Sequence, residues 1–113
     1  MEWVTAHQVL GLVGITPPGT AAQAERATLV ADAINAGMSR ALDRPDTDPV
    51  LLAGDAELRA AAATAGSYAY RRFDTAFDSV AYSDITGTAV KVARDALAYV
   101  APQLERWRFV GVA

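Results

Sequence analysis

Apolar residues return along this chain at helical spacing in four blocks, and turn-forming residues separate the blocks. The first block is short. Thr5 followed by Gln8 makes a capping box, in which each side chain satisfies a backbone N–H left over at a helix start, and Ala6, Val9, Leu10 and Val13 then share one face. Gly14 suits the left-handed conformation that ends a helix, with Ile15 folding back toward Leu10. Pro17-Pro18-Gly19 sets a rigid turn, and the capping pattern recurs at Thr20 and Gln23. A longer amphipathic helix follows to about Leu42, with Ala27, Val30, Ala31, Ile34, Met38 and Ala41 along its inner face.

The segment from Asp43 to Asp55 reads as a loop in which Pro49 opens a single turn. Asp55 is a good N-cap, and Glu57 sits where a carboxylate favours the helix dipole, so a third helix is expected to about Phe73. Its face of Leu58, Ala61, Ala62, Ala65, Ala69 and Phe73 is nearly all small, which brings a partner helix to the short end of the usual spacing of about 8–10 Å. Between residues 74 and 94 the pattern loosens. Ser79 to Tyr82 and Thr88 to Val92 alternate with a period near two around a turn at Asp84 to Gly87, which predicts a β-hairpin or a long projecting loop. Asp95 is expected to cap a last helix through Leu97, Ala98, Val100, Ala101 and Leu104, kinked or split at Pro102. The closing residues 106–113 are aromatic, basic and extended in character. The fold class expected is therefore mainly α: a single domain over residues 1–113, built as a small bundle of about four helices with one excursion at about 74–94.

Composition narrows what such a bundle does. At 113 residues the chain makes one modest core, and many of its 52% apolar residues are alanines, so partner subunits can supply what a thin core lacks. A net charge of -3 argues against a general nucleic-acid binder, which needs a basic face to neutralise phosphates. Without cysteine there is neither a disulfide frame nor a thiolate metal site, and the chain suits a reducing cytosol. The start Met1-Glu2-Trp3 has no secretory pattern, and no stretch approaches the roughly 18–20 apolar residues of a membrane span. Lys91 is the only lysine among the ten basic residues.

Candidate chemistry is sparse. His7 is the only histidine and has no acid or nucleophile placed around it in sequence, so a surface histidine is the plain reading. Gly11 and Gly14 do not form a phosphate loop, since neither lies between a strand and a helix and no Lys-Ser/Thr follows. Asp43, Asp46, Asp48 and Asp55 lack the spacing of a calcium loop and read as a solvated acidic segment. No catalytic residue, cofactor site or metal site is nominated, and the chain is not expected to be an enzyme. Tyr68, Tyr70, Arg71 and Arg72 form a candidate helix surface between subunits; Arg71 and Arg72 could touch phosphate, but helix-surface ion pairing is the more ordinary use. Arg106, Trp107, Arg108, Phe109 and Val110 concentrate the residue types that dominate binding hot spots, and two readings of Trp107 stay open: it meets a partner, or it closes the domain's own core.

Together these features resemble the head-to-tail connector (adaptor) family of tailed bacteriophages. The opening Trp3-Val4-Thr5-Ala6 with Val9-Leu10 and Gly14-Ile15 is similar to that family's first short helix, and Ala41-Leu42-Asp43-Arg44 to the end of its second. The strongest likeness is Ala65-Gly66-Ser67-Tyr68-Ala69-Tyr70-Arg71-Arg72, an Ala-rich helix ending in an aromatic and an Arg pair before a long loop. Val90-Lys91-Val92-Ala93-Arg94-Asp95, then Leu97, Pro102 and Arg106-Trp107-Arg108-Phe109, resembles the actinophage form. Phe73-Asp74-Thr75-Ala76-Phe77 departs from the family's Gly-containing tip.

The resemblance implies a homo-oligomeric ring, typically a dodecamer, docked under the capsid portal protein and offering a platform to the next connector, stopper or tail-terminator protein. It implies a location at the head–tail interface of the virion, with the host cytoplasm before assembly. It also implies that the C-terminal segment Arg106 to Val110 engages the portal, and that the long loop, with Asp74, Asp78, Tyr82, Asp84 and Lys91, faces the channel or a neighbouring ring. Acidic Asp74, Asp78 and Asp84 in such a channel would repel phosphates and let DNA slide without sequence-specific binding. Two other classes remain: a small DNA-binding regulator of helix-turn-helix type, which predicts salt-sensitive duplex binding, and a small helical enzyme subunit, for which no nucleophile or base can be nominated.

Overall fold

The computed structural model describes residues 2–43, 48–77 and 85–107, with side chains described in all of these except 73–77, 85–89 and 106. Among the described residues five α-helices follow one another: α1 (Ala6–Leu12), α2 (Ala21–Leu42), α3 (Pro49–Ala53), α4 (Asp55–Phe77) and α5 (Ile85–Leu104), followed by a 3-10 turn (Glu105–Trp107). There is no strand among the described residues.

Both capping boxes form. The Gln8 N–H donates to the Thr5 hydroxyl at 3.2 Å while the Thr5 N–H donates to the Gln8 side chain at 2.9 Å, and Thr20 and Gln23 repeat the exchange at 3.1 and 2.9 Å. Gly14, at φ +83°, ends α1 in a Schellman motif. The Ile15 N–H reaches back to the Leu10 carbonyl at 2.9 Å, and the Gly14 N–H to that of Gly11 at 3.2 Å. Asp43 closes α2 in the left-handed conformation, at φ 51°. Asp48 caps α3 by accepting from the Val50 N–H at 2.9 Å, with Pro49 at the first helical position, where its missing N–H costs nothing.

The body of the fold is α2, α4 and α5 packed together, with α1 lying against α2 and α4. Val30, Ile34, Met38 and Leu42 of α2, Leu58 and four alanines of α4, and Val92, Ala96, Val100 and Leu104 of α5 are all buried. The small face of α4 admits close neighbours: a Cβ on Gly66 would stand 3.0 Å from Val9 of α1, which is why α1 seats so near. On α2, a Cβ at Gly37 would collide with the Leu97 side chain of α5. The segment before α1 is held by one side chain. Asn35 of α2 accepts from the N–H groups of Trp3 (2.9 Å) and Val4 (3.1 Å) on its Oδ1 and donates its Nδ2 to the Val4 carbonyl at 2.9 Å. Trp3 and Val4 are thereby buried in the core.

The expected excursion over residues 74–94 is corrected. Helix α4 continues to Phe77 and α5 begins at Ile85, so neither a hairpin nor a loop of that length exists; only 78–84 lie between the helices, outside the described residues. Asp95 is not an N-cap but an exposed residue in the middle of α5. Val92, Ala93, Ala96, Val100 and Leu104 are the buried positions there, and burial of adjacent Val92 and Ala93 fits a helix and breaks a period of two. Pro102 lies inside α5 and removes the N–H that would pair with the Ala98 carbonyl, and three residues further on the helix gives way to the 3-10 turn. Helix α3 occupies the place where a single turn was expected.

Candidate functional site

His7 is exposed on α1, and no group of three metal-ligating side chains comes together among the described residues. Two of the acidic residues are committed locally. Asp48 caps α3, and Asp55 pairs with Arg59 one turn on at 2.7 Å. No helix among the described residues is long and apolar enough to cross a membrane.

Two surfaces stand out instead. The first is an aromatic ledge on the outer side of α4 and α5. Tyr99 of α5 is 63% exposed, and its ring stacks on Tyr68 of α4 with centroids 4.9 Å apart and planes 10° from parallel. Arg72, one turn beyond Tyr68, donates from Nη1 to the Tyr68 hydroxyl at 2.8 Å and lays its guanidinium 5.3 Å from the same ring. Two rings and an arginine are thus held in register by contacts within the chain. Such side chains lose little further freedom when a partner covers them.

The second is a groove of 440 Å³ between α2 and α5, floored by Ala33, Gly37, Ala93 and Leu97 and continuing toward Leu104. Gly37 lets α5 approach α2 closely, since Leu97 occupies the space a side chain there would take. Arg40 and Arg94 line it as well, and Val90, 41% exposed, stands at one end.

The nominated residues divide between these surfaces and the interior. Tyr68 and Arg72 belong to the ledge, while Tyr70, nominated with them, is corrected to the core: it is 4% exposed and turned toward α2, where Arg26 lies 5.9 Å from its ring. Residues two apart on a helix point to nearly opposite sides, so Tyr68 and Tyr70 could not share one surface. Arg71 is exposed. Trp107 packs on the body of the bundle: its ring fills the space beside Gly54, where a Cβ would come within 2.7 Å of it. Arg106 lies in the 3-10 turn, and Arg108, Phe109 and Val110 are outside the described residues. Of the supposed loop residues, Asp74 is in α4 and Lys91 is exposed on α5, and Asp78, Tyr82 and Asp84 are outside the described residues. Sequence reasoning missed Tyr99, Arg40 and Arg94. For Tyr99 the available signal was a large aromatic off the apolar face of its helix.

No family model, no curated protein and no solved structure matches the chain.

Proposed function

We propose that the chain is a structural subunit of a phage virion, a head-to-tail connector that assembles as a ring under the portal and joins it to the tail, leaving a channel for DNA. The observation that carries this reading is the ledge of Tyr99, Tyr68 and Arg72, because exposed stacked aromatics flanked by arginine are the composition of protein-binding hot spots. The sequence resemblance supports it too. Tyr68 and Arg72 of the ledge lie in the stretch of strongest likeness, 65–72. The portal is the partner assigned to this ledge, and Trp107 is assigned to closing the bundle.

The test is portal binding by a variant in which the ledge alone is spoiled. Tyr99→Asp leaves the core untouched, so its urea-unfolding midpoint stays near that of the parent, while its affinity for assembled portal rings in co-sedimentation falls at least about 30-fold. Undiminished binding would remove the ledge from the interface. Duplex-DNA binding that weakens steeply with salt would point to the regulator instead.

A further inference from the structure

We propose that the α2–α5 groove is a docking site for an amphipathic helix of a partner protein, one that carries carboxylates beside its apolar stripe. The inference goes beyond the connector reading and does not need it. The groove is bounded by α2 and α5, the ledge by α4 and α5.

The two walls have the form of a helix seat. Lining residues recur every three or four positions on α2 from Ala33 to Ala41, and on α5 from Val90 to Leu104, so each helix gives one continuous face to the groove. From Val90 to Leu104 the α5 wall rises about 21 Å, at about 1.5 Å per residue, which matches about four turns of an incoming helix. Most of the lining side chains are no larger than alanine, and small side chains let a third helix come close. Ala36, Val90 and Ala98 leave this surface open to solvent.

Charge selects among the apolar occupants. Arg40 stands on the α2 wall and Arg94 on the α5 wall, both exposed. Neither makes an ion pair or a hydrogen bond with a described residue, although Asp43 follows Arg40 by three positions and Asp95 adjoins Arg94. Guanidinium groups on both walls of an apolar floor call for carboxylates on both sides of an apolar stripe. Arg94 borders both the lobe of 440 Å³ and the adjoining lobe of 280 Å³ that runs to Leu104, so positive charge lies partway along the groove with apolar floor on either side. A fatty acid carries its charge at one end and would use one lobe. A helix of four turns sets carboxylates midway and apolar side chains in both. A second copy docked groove to groove would set these arginines against their own kind. The chain as a whole carries a charge of -3, so its overall field favours a basic peptide, and only these local cations attract an acidic one.

The test is fluorescence anisotropy of a labelled peptide of about 15 residues titrated with the full chain. Its leucines follow helical spacing and glutamates flank them; one control carries lysine for glutamate, and another a central proline that breaks the helix. The glutamate peptide binds at least about 10-fold more tightly than either control, and its binding weakens several-fold as salt is raised. Arg40→Gln together with Arg94→Gln lowers the affinity at least about 10-fold, and Ala36→Gln, which fills the floor without changing charge, lowers it several-fold. These positions are exposed, so circular dichroism matches the parent. Arg59→Gln, on α4 and outside the groove, leaves the affinity within about two-fold. No binding of the glutamate peptide at about 1 mM, preference for either control, or an Arg59→Gln loss equal to that of the groove variant would each overturn the proposal. Tighter binding of dodecanoate than of the peptide would give the groove to a lipid anion, and self-association abolished by the groove variants would give it to a second copy; either result overturns it too.

Discussion

Asn35 holds the segment before α1 through three hydrogen bonds, from a residue type that usually weakens a helix interior. Its side chain imitates a neighbouring strand, giving the backbone of Trp3 and Val4 both an acceptor and a donor and so allowing a Trp to be buried so near the chain start. Asn35→Ala leaves those backbone groups without partners. It should lower stability in urea by about 2–3 kcal/mol, at about 1 kcal/mol per bond, and shift tryptophan emission to the red as Trp3 is released. Emission and midpoint unchanged from the parent would show that packing alone holds Trp3. The sequence did not announce this role, since one polar residue in a 22-residue helix looks the same whether it faces water or a backbone. Tyr70 was misplaced for a related reason. Its aromatic ring suits a surface or a core equally, and its position relative to the buried faces of α2 and α4 decides between them.

At the scale of the element, the starts and stops with local chemistry were legible. Thr5, Gly14 and Thr20 act through hydrogen bonds or backbone conformations within a few residues, and each boundary falls where those residues place it; Asp55, expected as the N-cap of α4, is instead its first helical residue and pairs with Arg59. Thr20→Ala removes the acceptor for the Gln23 N–H and should cost about 1 kcal/mol in thermal or urea unfolding, whereas Thr20→Asp should cost little. Loss of equal size in both variants would mean that the cap does not hold α2. The α4–α5 region failed for the opposite reason. Thr88 to Val92 is β-branched and alternates over only five residues, which helix and strand templates both fit. What decides is packing against α4, a long-range contact with no local signature, and Asp95 supplied a cap-like residue at a place the helix passes straight through.

For the whole molecule, three long helices with the short α1 and α3 make a mainly α body whose expected class was correct, while the surfaces that matter most were the least legible. The ledge needs Tyr68 and Tyr99, thirty-one positions apart, and the groove needs Gly37 opposite Leu97. Each becomes a surface only when α5 lies along both α2 and α4. We propose that both surfaces serve contact with protein, one aromatic and one apolar with a cationic edge.

The most direct measurement of that claim is light scattering of the chain mixed with assembled portal rings. The account predicts a stable co-eluting species whose added mass corresponds to one copy of the chain for each portal subunit. Separate elution of portal and chain at concentrations well above micromolar, together with tight binding of duplex DNA by the chain, would contradict it.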